Sequence, residues 1–458
     1  MVTATAPAAQ DNAEGKTRGT VLAGLPTNLA ASLRGFAATT PGRLSVAMVG
    51  LILLSLLTGI VGIFTGQTRV NTLDDLTQHR EPVSAAAQQI YRALSDADAT
   101  AASAFLSGAV EPDNLRAQYN ADIAQAGAAL AVAATDSADT ANVQDVVPSL
   151  TVLETDLPVY TGIVERAAAN NAEGYPVGSA YLREADGLMQ NTLLPAARNL
   201  YKTDITSLDA QQDEATSVPW VGAVLLLALL VALFLTQRFL ARRTNRMLNI
   251  GLLVASIAMV LTLLWSAVGL ILTGVHVSNA RSSGSDLVAQ LSQARTDALQ
   301  ARSDEILNLV ARGGENYDPQ FHSLANELGG KDGTGGLLGA VQSTSQDQTM
   351  SGEIDNAISA AKSWFAEHNT VQNLNNTGDY PNAVSETLSS ASDGEATMVA
   401  KLDNALDKAI TQGRTVFADE TNSASAALFG WPIGVLVLAV LAAVGSAIGI
   451  WQRLREYR

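Results

Sequence analysis

Gln237-Arg238-Phe239-Leu240-Ala241-Arg242-Arg243-Thr244-Asn245-Arg246 stands between two long apolar runs, and its reading decides the fold. Runs of about 20 apolar residues match the ~30 Å hydrocarbon core of a bilayer. Arginines crowded into a short connection between two such runs mark the cytoplasmic side. The stretch from Trp220 to Val275 is therefore a hairpin that crosses a membrane twice and turns inside.

Outward from that hairpin, four spans are expected: 44–65, 219–240, 247–275 and 431–451. The first follows a 43-residue leader and lacks a small-x-small cleavage site, so it reads as an uncleaved anchor and not as a signal peptide. Lys16, Arg18, Arg34 and Arg43, the four arginines of the hairpin, and Arg453, Arg455 and Arg458 all fall on one side. Those eleven bases face only Asp11, Glu14 and Glu456, so a chain of net charge −16 carries about −24 in its two large loops. By the positive-inside rule both termini and the 241–246 loop are cytoplasmic, and the acidic loops 66–218 and 276–430 lie outside a plasma membrane. Acidic exterior loops exclude nucleic acid as a ligand there. The hairpin arginines have a second reading as contacts to anionic membrane lipid.

Composition sets the fold class as all-α: 47% hydrophobic residues, only 5% aromatic, abundant alanine, and no cysteine. Without cysteine there is no disulfide, thiolate metal site or lipid-attachment thiol. The leader, residues 1–43, is rich in Ala, Thr and Gly, contains Pro7, Pro26 and Pro41, and reads as a disordered tether.

Past the first span, Leu73, Leu76, Val83, Ala87, Ile90, Leu94, Ala97, Ala101 and Ala104 repeat at spacings of three and four, broken only by Arg80. This is a helical seam leaving the membrane. Gly108 and Pro112 end it, a second helix reaches about Ala134, a third covers about Asn142–Ala172, and a fourth runs from about Val177 into the second span. The expected module is an up-down-up-down four-helix bundle. The second loop shows the same plan, with helices from about Ser285 to Ala311 and from about Asn382 into the fourth span. Asn170-Asn171-Ala172-Glu173-Gly174-Tyr175-Pro176 recurs as Asn375-Asn376-Thr377-Gly378-Asp379-Tyr380-Pro381, and Pro112 has a counterpart in Pro319 at nearly the same offset. Two tandem modules, each between two spans, are the expectation. The corners Tyr175, Pro176, Tyr380 and Pro381 read as turn formers, with contact to a docked partner as the functional alternative.

Chemistry is sparse. His79, His276, His322 and His368 form no recognised zinc motif, and no metal or cofactor is expected. Gly329-Gly330-Lys331-Asp332-Gly333-Thr334-Gly335-Gly336 lacks the Ser or Thr that follows the lysine of a phosphate loop and reads as a flexible connector. Cytoplasmic pieces of roughly 43, 10 and 7 residues leave no room for a catalytic domain, so the chain is expected not to be an enzyme. The spans carry no charged residue at their middles, which argues against transport. Gly59-x-x-Gly62 leaves homo-oligomerisation open.

The architecture resembles the four-helix sensor modules of bacterial chemoreceptors and histidine kinases, doubled and without an output domain. The polar leader, four spans, Arg-rich hairpin and paired Asn-Asn…Tyr-Pro corners resemble the actinobacterial GlnX membrane proteins. That resemblance implies a relay adaptor between a solute-binding lipoprotein, GlnH, which takes acidic amino acids or glutamine, and the cytoplasmic Ser/Thr kinase PknG. Output would then use Arg238, Arg242, Arg243 and Arg246. A direct amino-acid receptor needs arginines for an α-carboxylate, and Arg80, Arg92, Arg295 and Arg302 are the candidates. A cell-envelope scaffold is the third reading.

Overall fold

The computed structural model describes residues 40–75, 81–137, 143–244 and 249–455. Among them there are helices and turns and no strand. We number the helices in chain order: α1 Thr40–Asp75, α2 Glu81–Leu106, α3 Asp113–Ser137, α4 Val143–Ala172, α5 Val177–Leu188, α6 Leu194–Thr216, α7 Trp220–Thr244, α8 Ile250–Asn279, α9 Asp286–Ala311, α10 Asp318–Gly329, α11 Gly336–Thr344, α12 Gln348–Asn376, α13 Tyr380–Thr387, α14 Glu395–Ala427 and α15 Trp431–Arg455. One π-helical turn, Met189–Leu193, joins α5 to α6, and another, Ala280–Ser285, joins α8 to α9.

Four helical stretches are long and apolar enough to cross a membrane, within α1, α7, α8 and α15. Their exposed faces are lined with Leu, Val, Ile and Phe, including Leu53, Phe64, Val224, Leu227, Leu264 and Ile433. Large apolar side chains exposed over such a length require a hydrocarbon solvent, so this is a membrane protein.

One compact unit comprises residues up to Gly59, Val224–Leu261 and Val437–Arg458. Its core joins Leu44, Leu51, Leu229, Leu233, Leu252, Met259, Ala442 and Ile450. α8 and α15 approach closely at Gly251, where an added Cβ would lie 2.5 Å from the Gly445 carbonyl oxygen and 2.6 Å from Gly449 Cα. Asn249 Nδ2 donates to the Gly449 carbonyl at 2.7 Å. Gly445-x-x-x-Gly449 thus supplies the flat face that lets two backbones touch.

The second unit comprises Ile60–Ala223 and Thr262–Leu436, and contains both polar modules. Where its spans end, Trp431 Nε1 donates to Ser266 Oγ at 3.0 Å. Gly62 and Gly66 face Val435 and Trp431, so Gly62 serves a contact within the chain. In the first module α2, α3, α4 and α5–α6 bury the expected seam, with Ala87, Ile90, Leu94, Ala97, Ala101 and Ala104 all in the core. Leu76 and Val83 lie outside what the structure describes of side chains. The second module packs α9, α10–α11, α12 and α14 around Leu291, Phe321, Leu328, Ile354, Trp364 and Leu402.

Several boundaries differ from expectation. The helix after Val177 does not enter the second span unbroken, because Ser217-Val218-Pro219 interrupts it and Pro219 removes a donor from the ladder. The last helix of the second module starts at Glu395, not near Asn382, and α13 precedes it as a separate piece. Gly430, at φ +73°, breaks the passage from α14 to α15. Met247, the expected start of the third span, lies outside the described residues, and α8 is described from Ile250. By contrast, Ile250–Ala311 is one helical run of 62 residues that joins span and module without a break. The glycine-rich stretch 329–336 is a packed corner and not a flexible connector. A Cβ on Gly336 would meet the Glu327 carbonyl oxygen at 2.4 Å, and one on Gly333 would meet Lys362 at 2.9 Å.

Candidate functional site

Polar chemistry collects on α9. The helix is enclosed on most of its circumference, and Arg295, Asp297, Arg302, Ser303, Glu305 and Asn308 are buried along with its leucines. Buried polar groups must find partners, and those of α9 find them in both modules.

Towards the first module, Gln300 Nε2 donates to Tyr91 Oη at 2.9 Å, and Arg198 Nη2 donates to the same oxygen at 3.1 Å. Ser303 Oγ donates to Asp98 Oδ2 at 2.9 Å, while Tyr160 Oη donates to Asp98 Oδ1 at 3.2 Å. Asp186 also hydrogen-bonds Asp98. Burial raises the Asp98 carboxyl to about 6. Burial, and next the charge of Asp98, raise that of Asp186 to about 8. The pair therefore keeps a proton near neutrality, held by Asp186 and donated to Asp98.

Towards the second module, Arg295 makes a two-pronged contact with Asp403, through Nε at 2.5 Å and Nη2 at 2.8 Å, and reaches Asp407 with Nη1. Arg302 Nη1 bridges Glu305 at 2.8 Å and Glu395 at 2.7 Å, and its Nη2 donates to the Thr387 carbonyl. Trp364 Nε1 lies 3.1 Å from each of those carboxylates. His368 Nδ1 lies 2.5 Å from Glu305 Oε1. Burial, and next the charge of Glu305, push Glu395 well above the usual carboxylate range. Burial opposes ionisation of Glu305 too, but hydrogen bonds from Glu395 and His368 and the charge of Arg302 outweigh it and hold Glu305 below that range. Glu395 is thus the protonated member and Glu305 the anion.

The residues singled out in the sequence are placed unevenly. Arg92 pairs with Asp96 at 2.8 Å and with Gln89 and Gln125. Arg92 and Arg295 line a cavity of about 60 Å³ between α2, α6, α9 and α14, together with Tyr91, Arg198 and Arg414. Arg302 is buried in its own ionic cluster, away from that cavity. Arg295 and Arg302 are thus internal ion-pair members and not solvated helix faces, because aspartates and glutamates of α9 and α14 already satisfy their guanidinium groups. Arg80 and Arg246 lie outside the described residues. Arg238 and Arg242 are exposed on the last two turns of α7, and Arg243 shares the final turn.

The two Tyr-Pro corners diverge. Tyr175 is 55% exposed and Pro176 is exposed. Tyr380 is half-buried with Arg312 stacked on it at 4.6 Å, and Pro381 opens α13. Both corners close in the same way. A glycine at positive φ, Gly174 or Gly378, is followed by a backbone N–H returning five positions, from Tyr175 to Asn170 and from Asp379 to Leu374. Asn171 adds a tie to the neighbouring turn, donating to the carbonyls of Phe105 and Gly108.

Asp98, Asp186, Glu305, Glu395 and Trp364 were not legible as site residues. Arg302 and Glu305, three apart on one helix, offered a local signal, but Glu395 lies 93 positions from Arg302 and offered none. The four histidines form no recognised zinc motif in the sequence, yet the structure brings the rings of His322 and His368 to 5.6 Å between centroids. The spacing of Asp318 and His322, one helical turn, was the available clue.

Residues 72–213 match the family model described as actinobacterial sensor domain, which takes in the end of α1 and the first module nearly to the end of α6. The match gives this membrane protein a sensor role. No curated protein and no solved structure matches the chain.

Proposed function

We propose that the chain is a relay. It receives an amino-acid signal, acidic amino acids or glutamine, through a solute-binding protein docked on the outer modules, and passes it to a cytoplasmic Ser/Thr kinase without catalysing a reaction itself. One observation carries the reading: α9 is held by both modules, and Ile250–Ala311 continues it into a span without interruption. Packed helices shift as units of an ångström or two, so a partner that repacks either module acts on this helix directly. The spans α7 and α15 meet their modules through breaks at Pro219 and Gly430, whereas α8 passes into α9 through the helical turn Ala280–Ser285. In this reading the Arg238–Arg246 loop is the inner output, and both termini share its side.

The direct-receptor reading places the amino acid in the arginine-lined cavity. At about 60 Å³ that cavity is well below the ~150 Å³ that accommodates benzene. Glutamate is larger than benzene, and Arg92 and Arg295 are already paired. The relay is therefore the better-supported reading. The full chain in lipid nanodiscs, titrated with the amino-acid-loaded solute-binding protein and separately with free glutamate, aspartate and glutamine, tests it. Saturable binding of the loaded protein alone is expected. Binding of a free amino acid would transfer the function to the direct receptor, and binding of neither would overturn the relay.

A further inference from the structure

Asp318, His322 and His368 converge at the start of α10, where it packs on α12. His368 Nε2 lies 3.2 Å from Asp318 Oδ1, and His322 Nε2 lies 3.5 Å from Asp318 Oδ2. One ligand atom from each residue fits within a 4.8 Å sphere of mutual distance. A tetrahedral ion with bonds near 2.0–2.1 Å sets its ligand atoms about 3.3 Å apart, and each histidine nitrogen stands near that distance from an Asp318 oxygen, His368 from Oδ1 and His322 from Oδ2.

The surroundings are those of a ligand set and not of a chance surface cluster. His368 is 1% exposed, and its Nδ1 faces Glu305 Oε1 at 2.5 Å. Glu305 Oε1 thus occupies one ring nitrogen of His368, and Nε2 is the nitrogen that faces Asp318 and His322. Phe321 stacks on the His368 ring at 3.5 Å and 12°, which fixes the plane of that ring. On the outer side, Asp318 is 32% and His322 55% exposed, which gives an entry path from solvent. Two histidine nitrogens and one carboxylate oxygen, in a chain with no cysteine, select a borderline divalent metal over a soft monovalent one or calcium.

We propose that Asp318, His322 and His368 form a site for a divalent transition metal, zinc by ligand chemistry, with Glu305 holding the His368 ring at Nδ1. The three side chains leave a fourth position for water or for a ligand atom of a partner. The site sits one residue from the helix that joins module to span, because Glu305 belongs to α9 and also accepts from Arg302, which ties α14 to the same cluster. Metal on Nε2 withdraws charge from His368 and strengthens its hold on Glu305. The site stands on its own geometry and does not depend on the relay reading.

The full chain in detergent, stripped with a chelator, is titrated with Zn²⁺ against a chromophoric competitor, and with Co²⁺ read by visible absorption. One Zn²⁺ per chain and a Co²⁺ spectrum of tetrahedral nitrogen and oxygen ligation are expected. His322→Ala, at an exposed position, lowers the Zn²⁺ affinity at least about tenfold and abolishes that spectrum. Its melting without metal stays that of the parent, so loss of binding is not loss of fold. Asp318→Asn gives the same result, and His276→Gln, at a histidine that pairs with Glu420 at 2.6 Å on other helices, leaves both readouts unchanged. Absence of stoichiometric Zn²⁺ in the parent chain, or equal affinity in His322→Ala, overturns the proposal.

Discussion

Ser303 on α9 donates a 2.9 Å hydrogen bond to Asp98 on α2, and so pins the first module to the helix that runs without a break into the third span. Both residues are buried, and 205 positions of chain separate them. Removing the Ser303 hydroxyl leaves the buried Asp98 carboxyl one donor short, which costs about 1–3 kcal/mol. Ser303→Ala is expected to lower the stability of the full chain in detergent by that amount, measured by chemical denaturation. A variant as stable as the parent would show that the contact does not hold the modules together.

The same contact predicts a pH dependence. Asp98 and Asp186 are raised by burial to about 6 and about 8, from an ordinary value near 3.9. The folded protein therefore binds more protons than the unfolded chain across that interval, and stability falls as pH rises. The contribution is complete below about pH 4 and is lost progressively as pH passes through about 6 and then about 8. Thermal melting is expected to drop between pH 5 and pH 8.5, and Asp98→Asn with Asp186→Asn reduces the slope but leaves the part contributed by Asp96, Asp122, Asp297 and Asp304, which burial also raises. An unchanged slope in the double variant would assign the pH dependence to other groups.

Arg302 tests the second module. Removing one member of a buried ion pair leaves an uncompensated charge, and costs about 3–5 kcal/mol. Arg302→Met is expected to destabilise by that amount through the stranded Glu305 anion. Adding Glu305→Gln to Arg302→Met removes the stranded charge and recovers a large part of the loss, as a double-mutant cycle would record.

Gly251 tests the crossing of α8 and α15. An added methyl would stand 2.5 Å from the Gly445 carbonyl oxygen and 2.6 Å from Gly449 backbone atoms, none of which can swing aside. Gly251→Ala is expected to cost about 1–3 kcal/mol as an overpacked contact. Gly222→Ala, where nothing lies within 4 Å, is the neutral comparison in the same melting assay.

The two corner tyrosines and the hairpin arginines test the relay. Tyr175→Ala leaves stability unchanged, because the ring is exposed, whereas Tyr380→Ala loses the Arg312 stacking worth about 0.5–1 kcal/mol. Binding of the solute-binding protein undiminished by both changes would remove the corners from the docking surface. Replacing Arg238, Arg242, Arg243 and Arg246 with glutamine, with topology verified, is expected to abolish kinase phosphorylation in response to external amino acid while docking persists. A preserved response would return the loop to a charge anchor.

The four spans, the all-helical class and the buried seam from Ala87 to Ala104 were determined by the sequence itself. Each rests on hydrophobic length or period, a local property that one helix carries alone. Which polar residues matter was decided only by tertiary structure. Arg302 reads as a candidate for an amino-acid carboxylate until Glu395 arrives from α14, and nothing in the sequence marks Asp98 until Ser303 reaches it. His322 and His368 stood 46 positions apart in the chain until the packing of α10 on α12 brought their rings together. Burial and pairing change the charge state and the partners of such groups, and both depend on contacts between distant segments, which periodicity within one segment does not encode.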